Sequence, residues 1–155
     1  MKYFICGFMG AGKTTALENL KLNDSFFGYS FYDLDTEIAK RHNVDVTKLG
    51  ELIGSKGFDW FRSKELEIFK DIIKSEEKVW ISLGGGALSN PEFLKMAKTL
   101  KGYWLNTDFN ICLNRIKGDS NRPLEALSAD DLRKLYKDRL VSYEIFEIFP
   151  YCGAE

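Results

Sequence analysis

One histidine, three prolines and three cysteines are all that this chain of 155 residues holds of those types. The scarcity excludes several classes of function. His42 stands alone and no cysteines cluster, so no zinc ligand set is present. Cys6, Cys112 and Cys152 lie far apart, make no Cys-x-x-Cys pair and are odd in number, so they build no disulfide framework. They read as small hydrophobes in a reducing, cytoplasmic setting. No apolar run approaches a membrane span, and the stretch Tyr3 to Met9 breaks at Gly7, too early for a secretion signal. Charge of one sign is also missing: 22 Lys and Arg against 23 Asp and Glu leave a net charge of -1. Nothing in that balance argues for a nucleic-acid or membrane partner. A monomer is expected.

What is present is a globular composition, 45% hydrophobic and 29% charged, at the length of one ordinary domain. No repeat or linker divides it, so residues 1–155 read as a single domain. Lys2 to Cys6 is an apolar run ending in glycine, which reads as a buried strand, and Lys13 to Leu20 as a helix. Ser30 to Asp33 is a second strand. Thr36 to Ser75 carries a helical pattern, broken near Gly50 and again at Gly54 to Gly57. Val79 to Leu83 is a strand stopped by three glycines, and Asn90-Pro91 looks like a helix start. Tyr103 to Leu105 is a further strand, followed by a helix from about Asp108 to Ile116. Polar residues Gly118 to Ser128 read as a loop. Ser128, with Asp131 three residues on, then resembles a helix N-cap box. Short apolar strands alternating with helices imply an α/β fold, a parallel sheet with helices on both faces.

Gly7-Phe8-Met9-Gly10-Ala11-Gly12-Lys13-Thr14 matches G-x-x-x-x-G-K-[ST] at every fixed position. Glycines let the backbone wrap phosphate oxygens and present N–H groups to them. The helix that follows brings its positive dipole end to the same point. Lys13 supplies charge to the β- and γ-phosphates, and the Thr14 hydroxyl is placed to ligate Mg²⁺. Asp33-Leu34-Asp35 ends the second strand, where ligands of parallel sheets gather. Alternate residues of an extended segment share a side. One carboxylate would then hold Mg²⁺ through water and the other accept a proton from a substrate hydroxyl. Helix capping by Asp35 is the competing assignment.

Arg62 has Glu65 at i+3. The pair is either a solvated surface pair or a buried one that aims the guanidinium at an anion. Arg122-Pro123, inside the polar loop, suits a lid that closes on the transferring phosphoryl group. Arg139 and Tyr143 are an i, i+4 pair on the last helix, otherwise an ordinary amphipathic face. Gly84-Gly85-Gly86 is either a tight turn or a backbone that approaches a ligand closely. His42 reads as a partly exposed helix residue.

Taken together and in this order, these motifs resemble those of the shikimate kinases over about residues 2 to 146. Gly7 to Thr14 resembles that family's phosphate loop, Asp33-Leu34-Asp35 its Asp-x-Asp, and Phe61-Arg62-Ser63-Lys64-Glu65 its Phe-Arg-x-x-Glu. The triple glycine, Arg115, the Arg122-Pro123-Leu124 lid and the Arg139-x-x-x-Tyr143 pair follow. The resemblance implies a three-layer P-loop kinase fold, with a substrate-binding helical segment at about 34–62 and a lid at about 118–128. It implies transfer of the ATP γ-phosphate to the 3-hydroxyl of shikimate, in aromatic amino acid biosynthesis. Asp35, Lys13 and Arg122 would act in catalysis. Gly10, Ala11, Gly12, Lys13, Thr14, Thr15, Arg115 and Arg122 would hold the nucleotide. Asp35, Arg62, Gly84, Gly85, Gly86 and Arg139 would hold shikimate, with Glu65 fixing Arg62, and Thr14 and Asp33 would serve Mg²⁺.

Three departures accompany the resemblance. Gly57-Phe58 stands where the family commonly has Gly-Glu. Glu125 stands in the lid where an apolar residue is usual, and would oppose bound phosphates if it pointed inward. After the late helix the chain runs only to Glu155, with marginal room for a fifth strand and none for a final helix. A shortened C-terminal end is therefore expected, with Arg115 against adenine lacking its usual partner. Two alternatives compete: another small-molecule kinase of this architecture, gluconate kinase-like, and a kinase-like nucleotide-binding domain without turnover. The arginines argue against an uncharged sugar. If the phosphate loop works as read, Lys13→Met nearly abolishes turnover while the protein still melts cooperatively. A variant with wild-type kcat would refute the assignment.

Overall fold

The apolar run Lys2–Cys6 forms β1, the central strand of a parallel sheet. The structure, a computed structural model, describes residues 1–117 and 127–151. On one side of β1 lies β3 (Val79–Ser82), with β2 (Ser30–Asp33) outside it; on the other lie β4 (Lys101–Trp104) and β5 (Glu147–Ile148). All four pairings are parallel. The central strands are apolar and fully covered, with Phe4, Ile5, Val79, Trp80 and Ile81 at 0% exposure, as a sheet with both faces buried requires.

The register brings the C-terminal ends of the strands level. Ile5 and Asp33 both pair with Ser82, and Cys6 pairs with Trp104. The segments that leave these ends therefore converge: the glycine loop after β1, Asp35 after β2, the three glycines after β3 and Thr107 after β4. Because β1 is followed in sequence by an edge strand but flanked in space by later ones, the chain reverses direction across the sheet at β1. Such a reversal opens a crevice at the strand's C-terminal end. The helix α1 (Lys13–Lys21) packs against β1, β2 and β3. Right-handed crossovers in the opposite direction place the later helices on the other face.

Between β2 and β3 the chain is helical, with boundaries that differ from the sequence reading. α2 covers Leu34–Arg41, α3 Leu49–Lys56 and α4 Phe58–Ser75. The break expected near Gly50 does not occur, since Gly50 lies inside α3, whereas the break expected at Gly54 to Gly57 does, at the last of those residues. The breaks fall at Asn43, whose φ of 54° ends α2, and at Gly57, whose φ of 93° separates α3 from α4. A glycine inside a helix costs only about 1 kcal/mol relative to alanine. Leu49 and Ile53, at 6% and 4% exposure, offset that by burial. A short 3-10 turn, Val46–Lys48, precedes α3.

Beyond β3, α5 spans Pro91–Ala97 with Asn90 capping Glu92 and Phe93, as the Asn-Pro signal indicates. α6 spans Phe109–Lys117 and α7 Ala129–Tyr143, with the Ser128 hydroxyl accepting from the Asp131 N–H. The fifth strand, for which the sequence left marginal room, does form: Glu147 and Ile148 pair with Tyr103 and Trp104. Most of the polar loop, residues 118–126, and Cys152 lie outside the described residues. Cys6 and Cys112 are buried, and burial pushes the Cys6 thiol up to about 12, so it is inert packing. His42 closes α2, with its Nδ1 against the Ile38 carbonyl at 2.8 Å and its ring edge-on to Trp60. No helix among the described residues is long and apolar enough to cross a membrane.

One glycine is dictated by packing. A β-carbon on Gly102 in β4 would enter the ring of Phe4, which itself meets Phe146 edge-on at 4.9 Å. Gly54 has nothing within 4 Å of where its β-carbon would stand. Gly102→Ala should therefore lower stability by about 1–3 kcal/mol, an overpacking cost, while Gly54→Ala should raise it by about 0.4–1 kcal/mol. Urea unfolding of the two variants measures both signs.

Candidate active site

A cavity of about 820 Å³ runs along the ends of β1, β2 and β3. One end is built by the glycine loop. Gly10 and Gly12 have φ of 79° and 99°, a left-handed backbone that glycine adopts without strain. A β-carbon on Gly10 would also stand 2.7 Å from the Cys112 carbonyl, so the loop lies directly on α6. α1 begins with Gly12 as its N-cap and no side chain caps it, which leaves its first N–H groups for a ligand. Lys13 bends back so that Nζ donates to the carbonyls of Gly7 (2.7 Å) and Phe8 (2.9 Å). Thr14 and Thr15 are exposed on the first turn and line the cavity.

Two contacts hold this loop that the motif alone does not announce. The Thr107 hydroxyl donates to the Ala11 carbonyl at 2.7 Å, and Arg115 Nη1 donates to the Gly10 carbonyl at 2.9 Å. Arg115 lines the same cavity as the glycine loop and is fastened to it. Thr107 was missed. The only signal for it is the polar run Asn106-Thr107-Asp108 directly after a strand.

Asp33 and Asp35 both line the cavity, but not by strand alternation. Asp33 is the N-cap of α2: its Oδ1 accepts from the Thr36 N–H at 3.0 Å and from the Thr36 hydroxyl at 3.2 Å. Capping thus falls to Asp33, not Asp35. The helix starts at Leu34 and Asp35 sits in its first turn, facing the other end of the cavity.

That other end is a buried charge cluster. Glu65, on α4, is 0% exposed, and its Oε1 accepts from Arg62 Nη1 at 2.9 Å. The buried form of the pair is therefore the one realised. Oε2 is also buried and has no hydrogen-bond partner among the described residues. Burial pushes the Glu65 carboxyl up to about 7 against the pull of Arg62; Asp35 adds to the rise and Arg139 opposes it. Arg139 comes from α7, its guanidinium carbon 5.7 Å from the centre of the Phe8 ring and its Nε buried without a hydrogen-bond partner among the described residues. Desolvation and the charge of Arg62 pull its pKa below the ordinary arginine value, while Tyr143 and Glu65 oppose the fall.

The three glycines are explained by these side chains. Neither Gly84, Gly85 nor Gly86 is among the glycines with positive φ, so no turn conformation demands them. Space does. A β-carbon on Gly84 would stand 2.6 Å from Glu65 Oε2 and 3.2 Å from Asp35 Oδ1. On Gly86 it would collide with Arg62 Nη2 and stand 2.7 Å from Arg139 Nη2. Both guanidinium groups thus converge over a bare backbone. Tyr143, 1% exposed, fixes that backbone through its hydroxyl, which donates to the Gly85 carbonyl at 2.5 Å. The cavity also has an apolar wall of Val46, Leu49, Ile53, Phe58 and Phe61. Arg122 lies outside the described residues. A shallower groove of about 660 Å³ on the outer side of α4 reaches Lys70 and Glu92 but none of the glycine loop.

The Glu65 shift has a measurable sign. Folding holds a proton on Glu65 up to about pH 7, where an unfolded chain releases it near 4.5. The stability that protonation supplies is full below the lower value and is lost as pH rises through the upper one. Glu65→Gln cannot ionise, so its melting temperature relative to wild type should climb between about pH 5 and about pH 8. Parallel melting curves across that range would show that Glu65 titrates normally.

Comparison with known proteins agrees with this geometry. Residues 9–151 match the family model described as shikimate kinase. The shikimate kinase of Aquifex aeolicus is 33% identical over 152 residues, covering 96% of this chain and 84% of that protein. The shikimate kinase of Staphylococcus epidermidis is 34% identical over 141 residues, covering 90% and 78%. Among solved structures, shikimate kinase from Acinetobacter baumannii in complex with shikimate superposes with a TM-score of 0.81 at 28% identity, over 99% of this chain and 85% of that one. The Aquifex aeolicus structure gives 0.78 at 31% identity, over 96% and 84%. A deoxyadenosine kinase from M. mycoides, at 16% identity and a TM-score of 0.58, shares the fold alone. The chain belongs to the shikimate kinase family.

Proposed function

We propose that the protein transfers the γ-phosphoryl group of ATP to the 3-hydroxyl of shikimate. The observation that carries this reading is the convergence of Arg62 and Arg139 over Gly86. Two like charges on one patch repel, and a carboxylate between them relieves the repulsion while accepting paired hydrogen bonds. A hydroxylated ring bearing one carboxylate satisfies that seat. Its hydroxyls then face Asp35 and the backbone of Gly84, Gly85 and Gly86, and its carbon skeleton faces the apolar wall.

Each residue then has one task. The N–H groups of Gly10, Ala11, Gly12, Lys13, Thr14 and Thr15 surround the phosphates. Lys13 leaves the loop carbonyls for the nucleotide, so its ammonium arrives without rebuilding the loop. Arg115 keeps the loop's shape at the nucleotide end. Asp35 orients the attacking hydroxyl and takes its proton. Lys13 and Arg122 neutralise charge that develops on the phosphoryl group. The donor set suits Mg²⁺: Asp33 keeps one carboxylate oxygen outside its capping bonds, and Thr14 stands in the same cavity. A magnesium site needs only one or two protein oxygens beside phosphates and water. The metal, when bound, supplies further charge neutralisation.

An ADP-release assay on shikimate and its methyl ester tests the assignment. The acid should be phosphorylated and the ester should be a poor substrate; equal rates would remove the carboxylate reading. Asp35→Asn keeps size and reach but cannot take a proton. It should lose kcat by about 10²–10⁴-fold, the usual contribution of a positioned base, and lose less in substrate affinity. A change confined to KM would assign Asp35 to binding only.

A further inference from the structure

Phe58 is out of place by ordinary burial rules. It is the first residue of α4, 42% exposed, and it faces the cavity. The other large apolar side chain that is both exposed and on the cavity wall is Val46, at 44%. Phe58 lies four residues before Arg62, so the two share a helix face. The Arg62 guanidinium carbon stands 5.9 Å from the centre of the Phe58 ring and 5.3 Å from that of Phe61. Phe61 is 5% exposed and forms a fixed wall; Phe58 is the ring on the solvent side. Glu65 holds the third quarter through Nη1.

Arg62 is thus flanked by two aromatic rings and a carboxylate, while its Nη2 lies over Gly86 on the cavity side. We infer that Phe58 is a positioning residue for substrate recognition: its ring face holds the Arg62 guanidinium against solvent and aims it at the substrate carboxylate. The physical basis is the negative face of the ring, which attracts the cation, together with exclusion of water from that side. A saturated side chain of similar bulk would shield but not attract. This inference rests on the carboxylate assignment of Arg62 made above.

Phe58→Leu keeps apolar bulk and removes the ring; Phe58→Tyr keeps the ring. Phe58→Leu should raise KM for shikimate about two- to five-fold, the range of an exposed cation–ring contact, and leave KM for ATP at the wild-type value. Phe58→Tyr should restore the wild-type KM. The methyl ester, which offers no anion, should have the same KM with Leu as with Phe. Three results would overturn the inference: Leu and Tyr behaving alike, acid and ester losing equally, or the loss appearing in KM for ATP. The wild type alone reports on the underlying assumption. If it fails to distinguish acid from ester, the carboxylate reading falls; if it distinguishes them and Leu matches Phe, only the role of Phe58 falls.

Discussion

Burying a carboxylate without a full set of partners is expensive, and the substrate end of this cavity follows from how Glu65 meets that demand. One oxygen is met by Arg62 at 2.9 Å; the other is buried and unbonded, beside Gly84. Such a pair contributes little to stability, because desolvation of both charges offsets their attraction. What it supplies is direction. With Nη1 held by Glu65, the Nη2 of Arg62 lies over Gly86. Arg139 arrives from a different helix at the same glycine. Glycines at 84 and 86 are the steric consequence, since a single β-carbon at either would strike the cluster.

The phosphate end is built on a different principle. There the backbone itself is the ligand, and side chains serve to hold its shape: Thr107 on Ala11, Arg115 on Gly10, and α6 packed beneath Gly10. The two ends meet because β1 and β3 are neighbours in register, Ile5 opposite Ser82. A cation-rich anion seat and a phosphate cradle are therefore a fixed distance apart, set by sheet geometry and not by flexible loops. Positioning of two reactants is the main demand of phosphoryl transfer, where the protein does little covalent chemistry.

Much of this was legible in the chain. The phosphate loop, the positions of the apolar strand runs and the Asn90 and Ser128 caps are local patterns, and local patterns survive in sequence. Gly50 does not break the helix because glycine's helix penalty is small beside the burial of Leu49 and Ile53, whereas the break expected at Gly54 to Gly57 falls at Gly57. Asp33 rather than Asp35 is the cap because α2 starts at Leu34, two residues before the expected start at Thr36. The contacts of Thr107 with Ala11 and of Tyr143 with Gly85 join residues 96 and 58 positions apart, and nothing in spacing announces them. The triple glycine was noticed for its backbone; its reason, room for two guanidinium groups and a carboxylate, exists only in three dimensions.

The central claim is that an Arg62–Arg139 seat, anchored by Glu65, takes the carboxylate of the substrate. An anion entering that seat brings negative charge beside a carboxyl already poised near neutrality, so Glu65 should take up a proton as the ligand binds. Titration calorimetry of shikimate near pH 7, repeated in two buffers of different ionisation enthalpy, measures that uptake directly. The account predicts a buffer-dependent heat corresponding to net proton uptake, abolished in Glu65→Gln. Binding with the same heat in both buffers, or an equal proton count in the glutamine variant, would contradict it.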